Sequence, residues 1–286
     1  MQFHPRHTPR FIGSCQWLLV IVAAIDALAS RAVSDDKIMT HELQSEYQSG
    51  ETKVRVLLPD EVAEGERLRV LYVLPVEEGD EDRYGNGLQE VKKCDLHNRH
   101  RLICVAPTFS QLPWYADHPT NETVRQESYL LKDVLPLVER TYPVVEGRAG
   151  RLLVGFSKSG CGAWSLLLRR PDVFDKAGAW DAPLMMDAPG KYGSGPIFGT
   201  PENFAKYEIQ SLLRTKGPTL GDQPRLILTG YDAFREHHIQ THKLLDNIGI
   251  PHVYRDGQCR KHSWHSGWLE ESVELMLLHD GSAEDR

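Results

Sequence analysis

The chain has 286 residues, enough for one large α/β domain with a well-buried core or for two small domains. Its composition, 41% hydrophobic and 26% charged, is ordinary for a globular protein. A formal charge of −7 and the lack of any basic run argue against nucleic acid or an anionic membrane surface as the main partner.

The N-terminus differs in kind from the rest. Arg6 and Arg10 precede an apolar run, Trp17 to Ile25, and Ala27-Leu28-Ala29 supplies an A-x-A cleavage pattern before Ser30. That arrangement predicts a secretory signal peptide over residues 1–29, since the apolar run is short for a bilayer span. The mature chain is then expected to have no membrane association, and Cys94, Cys104, Cys161 and Cys259 would meet an oxidising compartment. Cys94 and Cys104 flank a helix-to-strand connection and could pair, although four cysteines allow three complete pairings. Asn121-Glu122-Thr123 is a glycosylation sequon.

After residue 36 the pattern alternates strands and helices. Lys53–Leu58 and Arg69–Leu74 read as early strands, followed by a helix over 87–96 and a buried strand, Leu102–Ala106. Gln126–Tyr142 is amphipathic and helical, Leu152–Val154 is a strand, and Ala163–Leu168 is a helix. A short strand near Ala177–Trp180 leads to a Gly/Pro-rich excursion over 181–221. Arg225–Thr229, Glu236–Ile248, His252–Arg255 and Leu269–Leu278 complete the series as strand, helix, strand and helix. Continuous apolar strands separated by helices predict a mostly parallel sheet with helices on both faces, in one domain over 37–286 with an insertion at 181–221.

Gly155-Phe156-Ser157-Lys158-Ser159 joins a strand to a helix, the sequence form of a nucleophile elbow. The turn strains the serine backbone, so small residues must stand two positions to either side; here they are Gly155 and Ser159. A serine nucleophile needs a base, and the base needs an acid to hold its tautomer. In α/β hydrolases these follow in the order Ser, Asp or Glu, His, each at the C-terminal end of a strand. Asp232 follows the strand 225–229, and His262 lies in the loop after the strand at His252. Asp181, after the preceding strand, is the alternative acid, and His265 the alternative base; Asp232 and His262 are preferred. The oxyanion hole is expected to use the backbone N–H of Lys158 together with that of Val76 or Glu77, because Pro75 cannot donate.

With these residues in place, the chain resembles the α/β-hydrolase esterases that include S-formylglutathione hydrolases, feruloyl and acetylxylan esterases and mycolyltransferases. The matching residues are Gln126-Glu-Ser-Tyr-Leu130, Leu135-Pro136, Thr141-Tyr142, the elbow with Gly162-Ala163, Arg170-Pro171-Asp172, Gly230-Tyr-Asp232 and His262-Ser-Trp264. They spread over residues 50–280; Ser159, Lys158 and the lack of His-Gly after the early strand are departures. The resemblance implies the α/β-hydrolase fold and serine esterase activity without metal or organic cofactor. Trp114, Tyr115, Asp117 and His118 follow a strand end on the catalytic face and are expected, with Trp264, to line the substrate site. Lys158 itself could meet an anionic substrate group or point into solvent. For an exported hydrolase the expected substrate is a small-molecule or carbohydrate ester, such as one on a polysaccharide. Two other readings use the same residues: an acyltransferase, and a silent hydrolase fold that binds partners. His237, His238 and His242 are expected to form a solvated helix face rather than a metal site.

Overall fold

The computed structural model describes residues 1–2 and 37–278, so the expected signal peptide lies outside the described residues except for Met1 and Gln2. From Lys37 onward the chain is built on one eight-stranded sheet. The strands are β1 (Ile38–Leu43), β2 (Thr52–Leu57), β3 (Arg69–Val73), β4 (Leu102–Pro107), β5 (Arg151–Phe156), β6 (Lys176–Trp180), β7 (Leu226–Tyr231) and β8 (His252–Cys259). Their order is β1-β2-β4-β3-β5-β6-β7-β8. β2 pairs antiparallel with both β1 and β4, and every later pairing is parallel. Parallel neighbours need crossovers, and these place helices on both faces.

Those helices are α1 (Gly87–Lys93), α2 (Leu96–Arg99), α3 (Gln126–Tyr129) and α4 (Leu135–Thr141), joined by a π turn at Leu130–Val134, then α5 (Ser157–Arg169), α6 (Gly195–Phe198), α7 (Pro201–Phe204), α8 (Ile209–Lys216), α9 (Arg235–Asn247) and α10 (Trp268–Leu278). The apolar side chains form two separate cores. One includes Tyr72, Ile103, Leu153, Trp164 and Leu228; the other includes Leu71, Cys104, Val154, Ile227 and Trp268. Adjacent residues of one strand, such as Leu71 and Tyr72, fall in opposite cores, as alternation across a sheet requires. Among the described residues no helix is long and apolar enough to cross a membrane.

Two expectations are corrected and one strand is added. The added strand is β1: half of its residues are exposed, so IMTHEL carries little hydrophobic signal. The 181–221 excursion is not mainly loop, since α6, α7 and α8 bury Ile197, Phe198, Phe204, Leu212 and Leu213. Cys94, Cys104, Cys161 and Cys259 are free thiols, so Cys94 and Cys104 do not pair.

Candidate active site

β5 ends at Phe156 and α5 begins on the next residue, leaving Ser157 with φ +53°. A side chain in the left-handed region is strained unless the surroundings impose it. The imposition is visible at Gly155, where a Cβ would come within 2.4 Å of the Ser159 carbonyl oxygen. Ser159, at the position where the elbow pattern has glycine, is fully buried and useful. Its Oγ accepts from the Phe156 N–H at 3.1 Å and donates to the Phe156 carbonyl at 2.9 Å, closing the turn around Ser157.

The histidine is held by an acid, and that acid is Asp181. His262 Nδ1 lies 2.5 Å from Asp181 Oδ2, while Asp181 Oδ1 accepts the Phe234 N–H at 2.8 Å. Asp181 is 1% exposed; burial pushes its carboxyl up, but hydrogen bonds from His262 and from the Asp232 and Phe234 amides outweigh this and hold it below the ordinary carboxylate range. An ionised carboxylate can only accept, so Nδ1 carries the proton and Nε2 keeps its lone pair. Asp232 is exposed, and its Oδ2 accepts the backbone N–H of His262 at 2.9 Å. The expectation that Asp232 holds the ring is therefore corrected: it anchors the histidine's main chain. The cause lies in β7, where a register shift between Thr229 and Tyr231 continues the strand to a Tyr231–Cys259 pair. Gly230 occupies the shift with φ +59°, and a Cβ there would lie 2.0 Å from the Trp268 ring.

On the oxyanion side, neither the Val76 nor the Glu77 amide makes a hydrogen bond among the described residues, whereas Leu74 donates to Val154 and Gly79 to Phe109. The loop is set from below by Tyr115, whose hydroxyl donates to the Pro75 carbonyl at 2.6 Å. The Tyr115 ring rests on Gly162 of α5, where a Cβ would sit 2.1 Å from it. A contact chain therefore links the nucleophile's helix to the loop opposite. Tyr84 completes the rim: its ring meets His262 edge-on at 5.2 Å, and its carbonyl accepts from Ser263 Oγ and the Trp264 N–H.

The model of the Esterase family matches residues 45–194, which is 150 of 286 residues and includes the elbow and Asp181. The chain belongs to the Esterase family. Among solved structures this esterase is similar to a fluorophosphonate-binding serine hydrolase of Staphylococcus aureus, at 17% identity over 84% of this chain and 98% of that one, with TM-score 0.67. It is also similar to a ferulic acid esterase at 21% identity, covering 85% and 96% with TM-score 0.63, and to an S-formylglutathione hydrolase of Agrobacterium tumefaciens at 16%, covering 84% and 94% with TM-score 0.64. Identities this low show a shared fold, the α/β-hydrolase fold. A search of curated proteins found no match. Family membership makes the chain an esterase, an enzyme that cleaves carboxylic esters.

The expected substrate wall of this esterase is mostly scaffold. Asp117 accepts from the Ser128 N–H and Oγ at 2.9 and 2.6 Å and so fixes the start of α3. His118 Nδ1 accepts the Thr120 and Asn121 amides, and its ring packs on Gly199. Tyr115 is fully buried, and Trp264, 2% exposed, packs edge-on against Phe156 and Trp180 beneath His262. Two of these residues do border open space: Trp264 reaches a cavity beside Pro75, Val76 and Glu77, and Trp114 reaches another. With Cys161, Ser165, Leu184, Met186 and Phe198, Trp114 lines an apolar cavity along α5, one to two turns beyond Ser157. The sequence offered no sign of Leu184, Met186 or Phe198, because the insertion that brings them there shows no periodicity.

The α9 histidines are not a solvated face. His238 is 1% exposed and accepts the Ala182 N–H at 2.9 Å; His237 accepts the Met185 N–H at 3.1 Å. Burial pushes the His238 pKa down to about 4, so the ring is a neutral acceptor that steadies the segment after Asp181. His242 Nδ1 lies 2.8 Å from His252 Nε2, and with Asp246 these rings form a trio whose ligand atoms lie within 4.8 Å of one another. The two imidazoles already satisfy each other.

Proposed function

We propose that Ser157, His262 and Asp181 form the catalytic triad of this esterase. The observation that carries the assignment is the 2.5 Å bond from His262 Nδ1 to a buried, ionised Asp181, beside an elbow serine at φ +53°. Ser157 Oγ makes no hydrogen bond among the described residues, and its contact with His262 Nε2 forms when substrate closes the site. Nε2 then takes the hydroxyl proton as Oγ attacks the ester carbonyl. The developing oxyanion is met by the Lys158 amide and by the amide of Val76 or Glu77. His262 returns the proton to the leaving alcohol, and water repeats the sequence on the acyl-enzyme. Asp181 holds the ring in the tautomer that leaves Nε2 free and stabilises the imidazolium.

Hydrolysis of 4-nitrophenyl acetate tests the triad. Ser157→Ala lowers kcat by about 10⁴–10⁶-fold, and Asp181→Asn by about 10⁴-fold, because an amide favours the wrong tautomer. Asp232→Asn costs less than about tenfold, since an amide oxygen still accepts from the His262 main chain. An order reversed between the two aspartates would return the acid role to Asp232.

The same reading extends to the setting: residues 1–29 export the chain, and the substrate is an ester on extracellular material such as a polysaccharide. The charged, early apolar leader supports the first. The apolar cavity beside Trp114 supports an acyl or aromatic group at the second, in keeping with the likeness to a ferulic acid esterase. Sequencing the exported protein should give Ser30 as its first residue, and an uncleaved N-terminus would exclude the leader.

A further inference from the structure

Lys158 stands where stability alone would place a different residue. It follows Ser157 in the first turn of α5 and is 8% exposed. Among the described residues no hydrogen bond and no ion pair within 4 Å reaches its ammonium group. The acid that acts on it, Glu77, is itself 2% exposed and already committed: Oε1 meets the Arg83 guanidinium at 3.0 Å, and Oε2 accepts the Tyr84 N–H at 3.3 Å. Burial pushes the Lys158 pKa down, Glu77 pushes it up, and Arg83 pushes it down again.

Two costs therefore fall on one side chain. A buried cation loses hydration that no contact replaces. A cation in the first turn also opposes the helix macrodipole, whose N-terminal end is positive. An unbranched apolar residue such as methionine would fill the same space with neither cost and with similar helix propensity. Local choices that oppose stability without a compensating contact concentrate where a ligand supplies the contact. The residue beside the nucleophile is such a place, and an anion is what a desolvated, unpaired ammonium lacks.

We propose that Lys158 is a specificity residue that binds an anionic group, a carboxylate, carried by the ester substrate. The carboxylate could belong to the acyl half, as in a monoester of a dicarboxylic acid, or to the alcohol half, as in an ester of an acidic sugar. In both cases Ser157 cleaves the ester bond as above and Lys158 keeps its protons. This inference rests on the Ser157 reading of the site, and its test is separable from the test of that reading.

Two probe pairs distinguish the halves: mono-4-nitrophenyl adipate against its methyl ester, and 4-acetoxy-3-nitrobenzoate against its methyl ester. Within each pair the aryl ester bond, followed by release of the nitrophenolate, is the same and the charge differs. The wild type favours the anion in one pair by about 10- to 100-fold in kcat/KM, the range of a charge-assisted hydrogen bond in a partly desolvated site. In Lys158→Met that ratio collapses towards one, while Lys158→Arg retains most of it. An anion-to-neutral ratio unmoved by Lys158→Met in both pairs overturns the inference, even if the neutral esters are still cleaved. Hydrolysis that survives Ser157→Ala sinks the triad instead. Calorimetric binding of the uncleaved anionic esters to Ser157→Ala, with and without Lys158→Met, decides the matter independently of turnover: equal affinity in the two proteins refutes a role for Lys158.

Discussion

At the scale of single residues, the active site is made by side chains that bond to backbone as much as by those that do chemistry. Ser159 replaces a glycine by supplying both a donor and an acceptor to Phe156, so the elbow loses nothing in flexibility that it needed. Tyr115 holds the Pro75 carbonyl and through it the amides that follow. Tyr115→Phe should leave that carbonyl unsatisfied, lowering stability by about 1–2 kcal/mol and kcat several-fold with little change in KM; unchanged kcat would remove Tyr115 from the positioning of the loop. Ser157 and His262 stand out as candidates in the sequence because an elbow and a terminal histidine have local signatures. The sequence favours Asp232 over Asp181, yet both follow strands in the right order and nothing local separates them. The difference is the register shift at Gly230, which is a property of how β7 meets β8 and Trp268, and no local pattern records it. The substrate wall was misread for a related reason. Asp117, His118 and Trp264 have the residue types of a binding surface, but Asp117 and Trp264 are engaged by other elements and His118 by the amides of its own loop.

Among elements, α9 and α5 do the most to hold the site together. α9 offers two neutral imidazoles to the backbone that follows Asp181, which makes that segment sensitive to acid. The folded pKa of His238, about 4, lies below the ordinary histidine value of 6.5. Between those values the unfolded chain binds a proton that the folded chain refuses. The contribution is thus complete above pH 6.5 and lost as pH falls towards 4, with an upper bound of about 3 kcal/mol. Chemical unfolding measured from pH 7.5 to 4 should show that slope, and His238→Gln, which keeps an acceptor but does not titrate, should flatten it. On α5, Gly162→Ala sets a methyl group against the Tyr115 ring and should cost about 1–3 kcal/mol with a fall in kcat, because the ring and the oxyanion loop move together. A Gly162→Ala protein of wild-type stability would show that the ring yields without strain.

For the whole molecule, most of the architecture was legible because parallel strands buried on both faces are written as apolar runs, and the elbow fixes which end of the sheet reacts. The exposed edge, β1, the one-turn α2 and the aperiodic stretch that folds into α6–α8 are not legible in this way. The cavity beside Trp114 is assembled from that stretch, so substrate shape belongs to the least readable part of the chain. The pairing of β5 with β6 has a different bearing. Its register sets Phe156 opposite Trp180, so that Ser157 and Asp181 are the next residue on each of two adjoining strands. One βαβ unit, residues 151–181, carries two members of the proposed triad at a separation fixed by a ladder of backbone hydrogen bonds. The stretch that folds into α6–α8 can then lengthen, shorten or refold around new substrates while nucleophile and acid keep their spacing, and a lineage that varied there would change what it cleaves before it lost the ability to cleave.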